Sequence, residues 1–231
     1  MKAETDSIRT IYHGSDHIIE HPSYLAGNSH NDYGRGFYCT EDLDMAKEWG
    51  ARQDRSGVAN RYAIDCSDLT IVDLNGPQYC ILHWLSVLIE NREFDVPSPL
   101  AMQAKQYILK NFHVNYKKAD CMIGYRADDS YFSFAQDFLN GTISYRQLSR
   151  AMHLGKLGQQ FVLKSERAFD RIKFTGYEIA ARAEWYTRKM NRDRSARREY
   201  FNMEKNLILP DDIFITGILS EEMKANDPRL R

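Results

Sequence analysis

Tyr33-Gly34-Arg35-Gly36-Phe37-Tyr38-Cys39-Thr40 is the stretch whose reading decides the fold. Its two glycines mark a turn, Phe37-Tyr38-Cys39 makes a brief strand, and Thr40 stands where a helix N-cap is expected. Glu41, Asp42 and Asp44 place negative charge in the first turn, where the helix dipole favours it, and Met45, Ala46 and Trp49 give the helix one apolar face. Upstream, residues 8–13 (IRTIYH) are β-branched and aromatic and run into Gly14-Ser15, the pattern of a strand ending at a turn. The polar segment between them, broken by Pro22, Gly27, Asn28 and Ser29, reads as loop.

Further along, residues 61–66, 69–74, 120–125 and 160–164 read as strands. Helices are predicted over 78–91 and over 98–112, the latter capped by Ser98 with Pro99 at its first position, where a missing N–H costs nothing. Two more follow at 130–139, stopped by Asn140-Gly141, and at 144–154. Beyond Gly176 a long polar helix is expected to about residue 205, and Pro210-Asp211-Asp212 opens a last element of unassigned type. There is neither an internal repeat nor a Gly-, Pro- or Ser-rich linker, so the simplest partition is one α+β domain over 1–231.

Composition limits the function. Thirty-one Lys+Arg against 32 Asp+Glu leave a net charge of -1, which excludes a strongly basic nucleic-acid wrapper and a uniformly acidic tail alike. With 43% hydrophobic and 27% charged residues the chain has the make-up of a globular protein. Cys39, Cys66, Cys80 and Cys121 form no C-x-x-C pair and read as reduced thiols, which favours a cytoplasmic setting. The opening Met1-Lys2-Ala3-Glu4-Thr5-Asp6 is polar, and the most apolar stretch, 79–89, is interrupted by His83 and Ser86 well short of the roughly 20 residues a membrane span needs. The expectation is therefore no signal peptide, no anchor and no membrane partner.

Tyr12-His13-Gly14-Ser15, the Tyr33–Thr40 stretch and Trp49, eleven positions after Tyr38, together resemble the NAD-binding half of the diphtheria-toxin and poly(ADP-ribose) polymerase branch of ADP-ribosyltransferases. In that branch a strand carries His-Gly-Ser/Thr, and a later Phe-Gly-Lys-Gly-Ile-Tyr-Phe segment precedes a helix with a second aromatic. With Arg126-Ala127-Asp128-Asp129 and the ending Asn226–Arg231, the whole chain also resembles a bacterial family of unknown function. The resemblance implies two small packed sheets with an NAD cleft between them, here with a helical insertion at 78–115 and a basic helical extension at 176–231. It implies mono-ADP-ribosyl transfer from NAD by a toxin, effector or defence enzyme, with a protein or nucleic-acid acceptor and an antitoxin or immunity protein as partner. Water as acceptor would make an NAD hydrolase, and a cleft that only binds NAD, ADP-ribose or nucleic acid is the non-enzymatic alternative.

The resemblance also assigns roles, and they make chemical sense. Gly14 would let the backbone approach the nicotinamide amide, Tyr38 and Trp49 would sandwich the cationic nicotinamide ring, and His13 assisted by Ser15 would bond a ribose hydroxyl. The glutamate that usually stabilises the cationic ribose is replaced by Gln160 in Leu157–Ser165, and an amide can accept a hydrogen bond but brings no charge. Asp128 or Asp129 is the expected reserve carboxylate. Each residue has a plainer reading: a structural histidine, core aromatics, a solvent-facing glutamine, and an Asp pair capping the helix that follows. His13, His17 and His21, four apart, would share a helix face as zinc ligands, but Gly14 and Pro22 break such a helix and no metal is expected. Residues 182–205 carry eight Lys/Arg against four Asp/Glu with Trp185, Tyr186, Tyr200 and Phe201 interleaved, the composition either of a phosphate- and base-binding helix or of a solvated face laced with ion pairs.

Overall fold

The computed structural model describes residues 7–96, 98–127, 129–154, 158–204 and 208–230. Two sheets organise it. β1 (Ile8–Ser15), β3 (Gly57–Asp65) and β7 (Ile172–Ala180) form an antiparallel sheet with β3 in the centre. The second sheet runs in the order β2 (Phe37–Cys39), β6 (Gln159–Leu163), β5 (Cys121–Tyr125), β4 (Ile71–Asp73). Its pairs are antiparallel except β4 with β5. A parallel pair needs a long crossover, and α2 (Ile81–Asn91) and α3 (Pro99–Asn111), the expected helical insertion, provide it. The sheets touch where Tyr12 and Thr40 exchange backbone bonds of 2.7 and 2.9 Å.

The packing explains the sequence pattern. Ile11, Tyr62 and Ile64 of the first sheet meet Cys39, Cys121, Ile123, Phe161 and Leu163 of the second in one buried cluster. The opposite face of the second sheet, with Met122 and Val162, packs against Leu82, Leu85, Leu88 and Ile108 of the crossover helices. Covered on both faces, β5 and β6 read as nearly continuous apolar runs rather than alternating ones. Ser98 caps α3 by accepting from the Ala101 N–H at 3.1 Å, as expected, and Ser144 caps α5 (Tyr145–Ala151) in a reciprocal box with Gln147. α4 (Asp129–Leu139) and a short α6 (Glu166–Asp170) complete this part.

Two expectations are corrected. The cap of α1 (Leu43–Gly50) is Asp42, whose carboxylate accepts from the Met45 N–H at 3.0 Å. Thr40 is held by its pairing with Tyr12, so the chain turns only afterwards, with the Thr40 hydroxyl accepting from the Asp42 N–H. The long C-terminal helix α7 begins at Arg182 rather than Gly176 (Arg182–Glu204), because Gly176 lies inside β7. There it adopts φ +136° opposite Arg61, where the register shifts at a bulge, a backbone state that a side chain would strain. β7 is an edge strand with mostly exposed residues.

α7 packs at both ends. Trp185 is buried against Ala51 and Ala180, and Tyr200 stacks on Phe134 at 3.7 Å while donating to Asp137 at 2.6 Å. Tyr186 packs beside Trp185, so three of its four aromatics serve packing, while Phe201 is exposed. The last helix, α8 (Ile215–Ser220), buries Ile215 and Ile218 in the main core.

Close approach of β1 and α1 depends on Gly14: a Cβ there would lie 2.1 Å from the Ala46 carbonyl oxygen and 2.6 Å from the Gly50 nitrogen. Both obstacles are backbone and cannot swing away. Gly14→Ala should therefore destabilise the fold by about 3 kcal/mol, the upper part of the overpacking range, read as a lowered urea midpoint. An unchanged midpoint would mean that strand and helix are not in contact.

Candidate functional site

A cavity of about 850 Å³ opens where β1, β2 and β6 converge. His13 and Gly14 of β1, Phe37 and Tyr38 of β2, Trp49 of α1 and Gln160 of β6 line it, with His17, Ile19 and His21 from the β1–β2 loop. Arg92, Arg126 and Ala127, which follow α2 and β5, form another part of the wall, and Lys189, Asp193 and Arg197 of α7 face it along one helical stripe. The sequence candidates His13, Gly14, Tyr38, Trp49 and Gln160 thus share one cavity. Ser15 is not among its lining residues, Asp128 lies outside the described residues, and Asp129 is described only as the first residue of α4.

His13 has a defined tautomer. Its Nδ1 lies 2.7 Å from the Tyr38 carbonyl oxygen, which can only accept, so Nδ1 carries the proton and Nε2 is left as an acceptor. Burial, the largest influence, lowers its pKa and keeps the ring neutral near pH 7. Phe37 stacks on the ring at 4.3 Å and fixes its plane.

Ser15 is committed elsewhere: its hydroxyl donates to the His17 carbonyl and accepts from Asn60 Nδ2 at 2.9 Å. Asn60, not singled out from the sequence, is fully buried in β3 and also accepts from the Ile19 N–H at 2.9 Å. It therefore pins the loop carrying His17 and Ile19. The sequence pattern begins this strand only at Arg61, so Asn60 falls outside it and no local signal marks it.

Tyr38 spends its hydroxyl on the chain, donating to the Gly34 carbonyl at 2.6 Å and accepting from the Tyr33 N–H at 2.9 Å. What remains for a ligand is its ring. The Arg126 guanidinium lies 4.8 Å from the Trp49 ring centroid, so this indole already holds a planar cation. Trp49 Nε1 is buried and has no hydrogen-bond partner among the described residues.

Gln160 shares a sheet face with Val162 and Lys164. Val162 joins the helix-side core, and the Lys164 ammonium, its pKa lowered by burial to about 8, donates to the Tyr33 carbonyl. The Gln160 amide nitrogen donates to Asp32 Oδ2 at 3.2 Å, while its Oε1 is buried without a partner among the described residues, an arrangement that costs about 1–3 kcal/mol unless something fills it.

Asp32 is the carboxylate the sequence reading missed. It is 5% exposed; its Oδ2 also accepts from the Ala127 N–H at 2.8 Å and its Oδ1 from Arg92 Nη1 at 3.0 Å. Burial, outweighing these donors, raises its pKa above the ordinary carboxylate value. In the sequence Asn31-Asp32 reads as turn chemistry, and nothing local tells a turn aspartate from a buried one.

Among the described residues no group of three or more His, Cys, Asp or Glu side chains is placed to hold a metal ion. The four cysteines are free. No described helix is long and apolar enough to cross a membrane.

A raised folded-state pKa means that Asp32 favours the fold while protonated and that this contribution is lost as pH climbs through that pKa. Asp32→Asn removes the titration. Between pH 4 and pH 7 its urea midpoint should therefore gain on the wild type's. A relative gain by the wild type would mean that Arg92 and the amide donors outweigh burial.

Comparison with curated proteins and with solved structures gives no match. A family model described as "Protein of unknown function (DUF3990)" matches residues 9–174, from β1 into β7, and so takes in the His13, Tyr38, Trp49 and Gln160 walls of the cavity but not α7. The match spans well over half of the sequence, and the chain belongs to the DUF3990 family.

Proposed function

We propose that the chain cleaves the bond between nicotinamide and ribose in NAD and transfers a single ADP-ribose unit to a protein or nucleic-acid acceptor. One observation carries this reading: His13, Gly14, Tyr38, Trp49 and Gln160, scattered along the chain and singled out by their likeness to ADP-ribosyltransferases, line one cavity. Its volume suits a small molecule, and Arg92, Arg126, Lys189 and Arg197 against Asp32 and Asp193 give its walls a positive balance suited to a pyrophosphate.

In the reaction the C1′–N1 bond breaks and its electron pair leaves with the nicotinamide nitrogen, which loses its positive charge. A lone pair of the acceptor forms the new bond to C1′, and the acceptor's proton passes to solvent. His13 Nε2, left as an acceptor by the Tyr38 carbonyl, takes a hydrogen bond from a ribose hydroxyl. The Tyr38 ring and Trp49 hold nicotinamide by its faces, with Arg126 yielding the Trp49 face it occupies. Gln160 accepts from the nicotinamide ribose. A role as toxin, effector or defence enzyme follows from the same reading.

Incubation with labelled NAD, following released nicotinamide and label on protein, RNA and DNA, tests the proposal. Nicotinamide release is expected, falling about 10²–10³-fold in His13→Ala, the usual cost of removing one positioned transition-state partner. Label recovered only as free ADP-ribose would make water the acceptor. The absence of both nicotinamide release and calorimetric binding at millimolar NAD would overturn the reading.

A further inference from the structure

Cleavage of the nicotinamide–ribose bond needs negative charge beside the ribose. A ribose that becomes cationic as nicotinamide leaves is stabilised by negative charge nearby. Gln160 occupies the expected position without any. Beside it, however, Asp32 lines the same cavity, 3.2 Å from the Gln160 amide nitrogen.

The pair has only one consistent arrangement. A carboxylate can only accept, so Asp32 must face the NH₂ side of the amide, and the carbonyl Oε1 is turned the other way. That oxygen is buried, and no partner is described for it. An amide held in one orientation with an empty acceptor is what a ligand hydroxyl requires, whereas a purely structural glutamine would have both ends satisfied. Asp32 is itself held from outside the pair, by the Ala127 N–H and by Arg92.

We propose that Asp32 and Gln160 divide between them the work of a single catalytic glutamate: Gln160 Oε1 bonds the nicotinamide ribose, and Asp32 is the positioning residue that orients this amide and supplies its missing negative charge. The inference rests on the NAD-cleaving reading of the cavity and adds a residue to it. Arg92 offsets part of the charge from one side, at 3.0 Å from Oδ1, but it also lies over the Phe132 ring, 5.0 Å from its centroid, and is not committed to Asp32 alone.

Asp32→Asn is a gentle test. Both bonds to Oδ2 can be kept by the asparagine carbonyl oxygen, and only the bond from Arg92 is lost. The full chain, Asp32→Asn, Gln160→Glu and the double variant should be compared for nicotinamide release from NAD, with kcat and KM separated and NAD binding followed by calorimetry. Asp32→Asn should lose about 10²-fold in kcat with little change in KM or in NAD affinity. Gln160→Glu alone should also be impaired, because two adjacent carboxylates cannot both ionise easily. The double variant, which again holds one carboxylate and one amide, should recover at least about tenfold over Asp32→Asn.

The pH profile of kcat, compared between the wild type and Asp32→Asn, is a second readout. The groups facing Asp32 are Arg92 at the end of α2, Arg126 after β5, and Tyr33 and Tyr38 around β2. None of them loses a proton between pH 4 and 8, and kcat should rise with pH as Asp32 ionises. His13, held below its ordinary value by burial, adds an acid limb of its own, so the limb that belongs to Asp32 is the one lying above the ordinary carboxylate range that Asp32→Asn abolishes. The absence of that limb, wild-type turnover by Asp32→Asn, or a double variant no better than Asp32→Asn would each overturn the division of roles and leave NAD cleavage standing. A wild-type chain that releases no nicotinamide would overturn both.

Discussion

A carboxylate taken out of water must find partners wherever the chain can bring them, and Asp32 finds them on three separate segments. Arg92 reaches it from the end of α2, the Ala127 N–H from the turn after β5, and the Gln160 amide from β6. Residues up to 128 positions apart are tied to one side chain in this way. The loop carrying Asp32 continues through Tyr33, whose hydroxyl donates to the Tyr125 carbonyl at 2.6 Å and whose N–H meets the Tyr38 hydroxyl. The cavity floor is therefore a polar network inside an apolar core. Such networks are stable only when nearly every member is satisfied, which makes Gln160 Oε1, without a partner among the described residues, informative.

The layering around this network follows from burial on two sides. The four-stranded sheet is covered by the three-stranded sheet on one face and by helices on the other, so its inner strands have no solvent face to spend on polar residues. Gln159 and Gln160 are the exceptions, at the start of β6 where the sheet opens toward the cavity. The same geometry explains Gly14. It lines the cavity, yet the direction its side chain would take is filled by the backbone of α1, so glycine is required there whether or not a ligand approaches.

α7 has a different relation to the rest. It lies beyond the stretch matched by the family model, yet Lys189, Asp193 and Arg197 contribute a wall to the cavity. Arg192 pairs with Glu48 of α1, and Trp185 and Tyr200 anchor the two ends of the helix. Its charges are thus only partly a solvated surface, and the part facing the cavity belongs to the same electrostatic environment as Arg92 and Arg126.

Local sequence determined a good deal about this protein. Turn residues, caps and apolar periodicity located most of the strands and helices, because those signals act over a few residues: Ser98-Pro99 opening α3, Gly34 and Gly36 preceding β2, and the apolar runs of β5 and β6. The same stretches brought His13, Gly14, Tyr38, Trp49 and Gln160 to notice as candidates for one cavity, although a histidine, a glycine and two aromatics each have a plainer reading alone. Local signals failed where tertiary pairing overrode them. Thr40 is an adequate cap, but its backbone is drawn into a bridge with Tyr12; Gly176 looks like a stop, but pairing with β3 makes it a bulge. Ser15 looked available to a ligand and is bound by Asn60. Only the tertiary structure could decide the carboxylate. Asp32 differs from any turn aspartate through the segments that fold over it, and burial, the cause of its altered acidity, is a property of the whole fold rather than of the residues beside it in the chain.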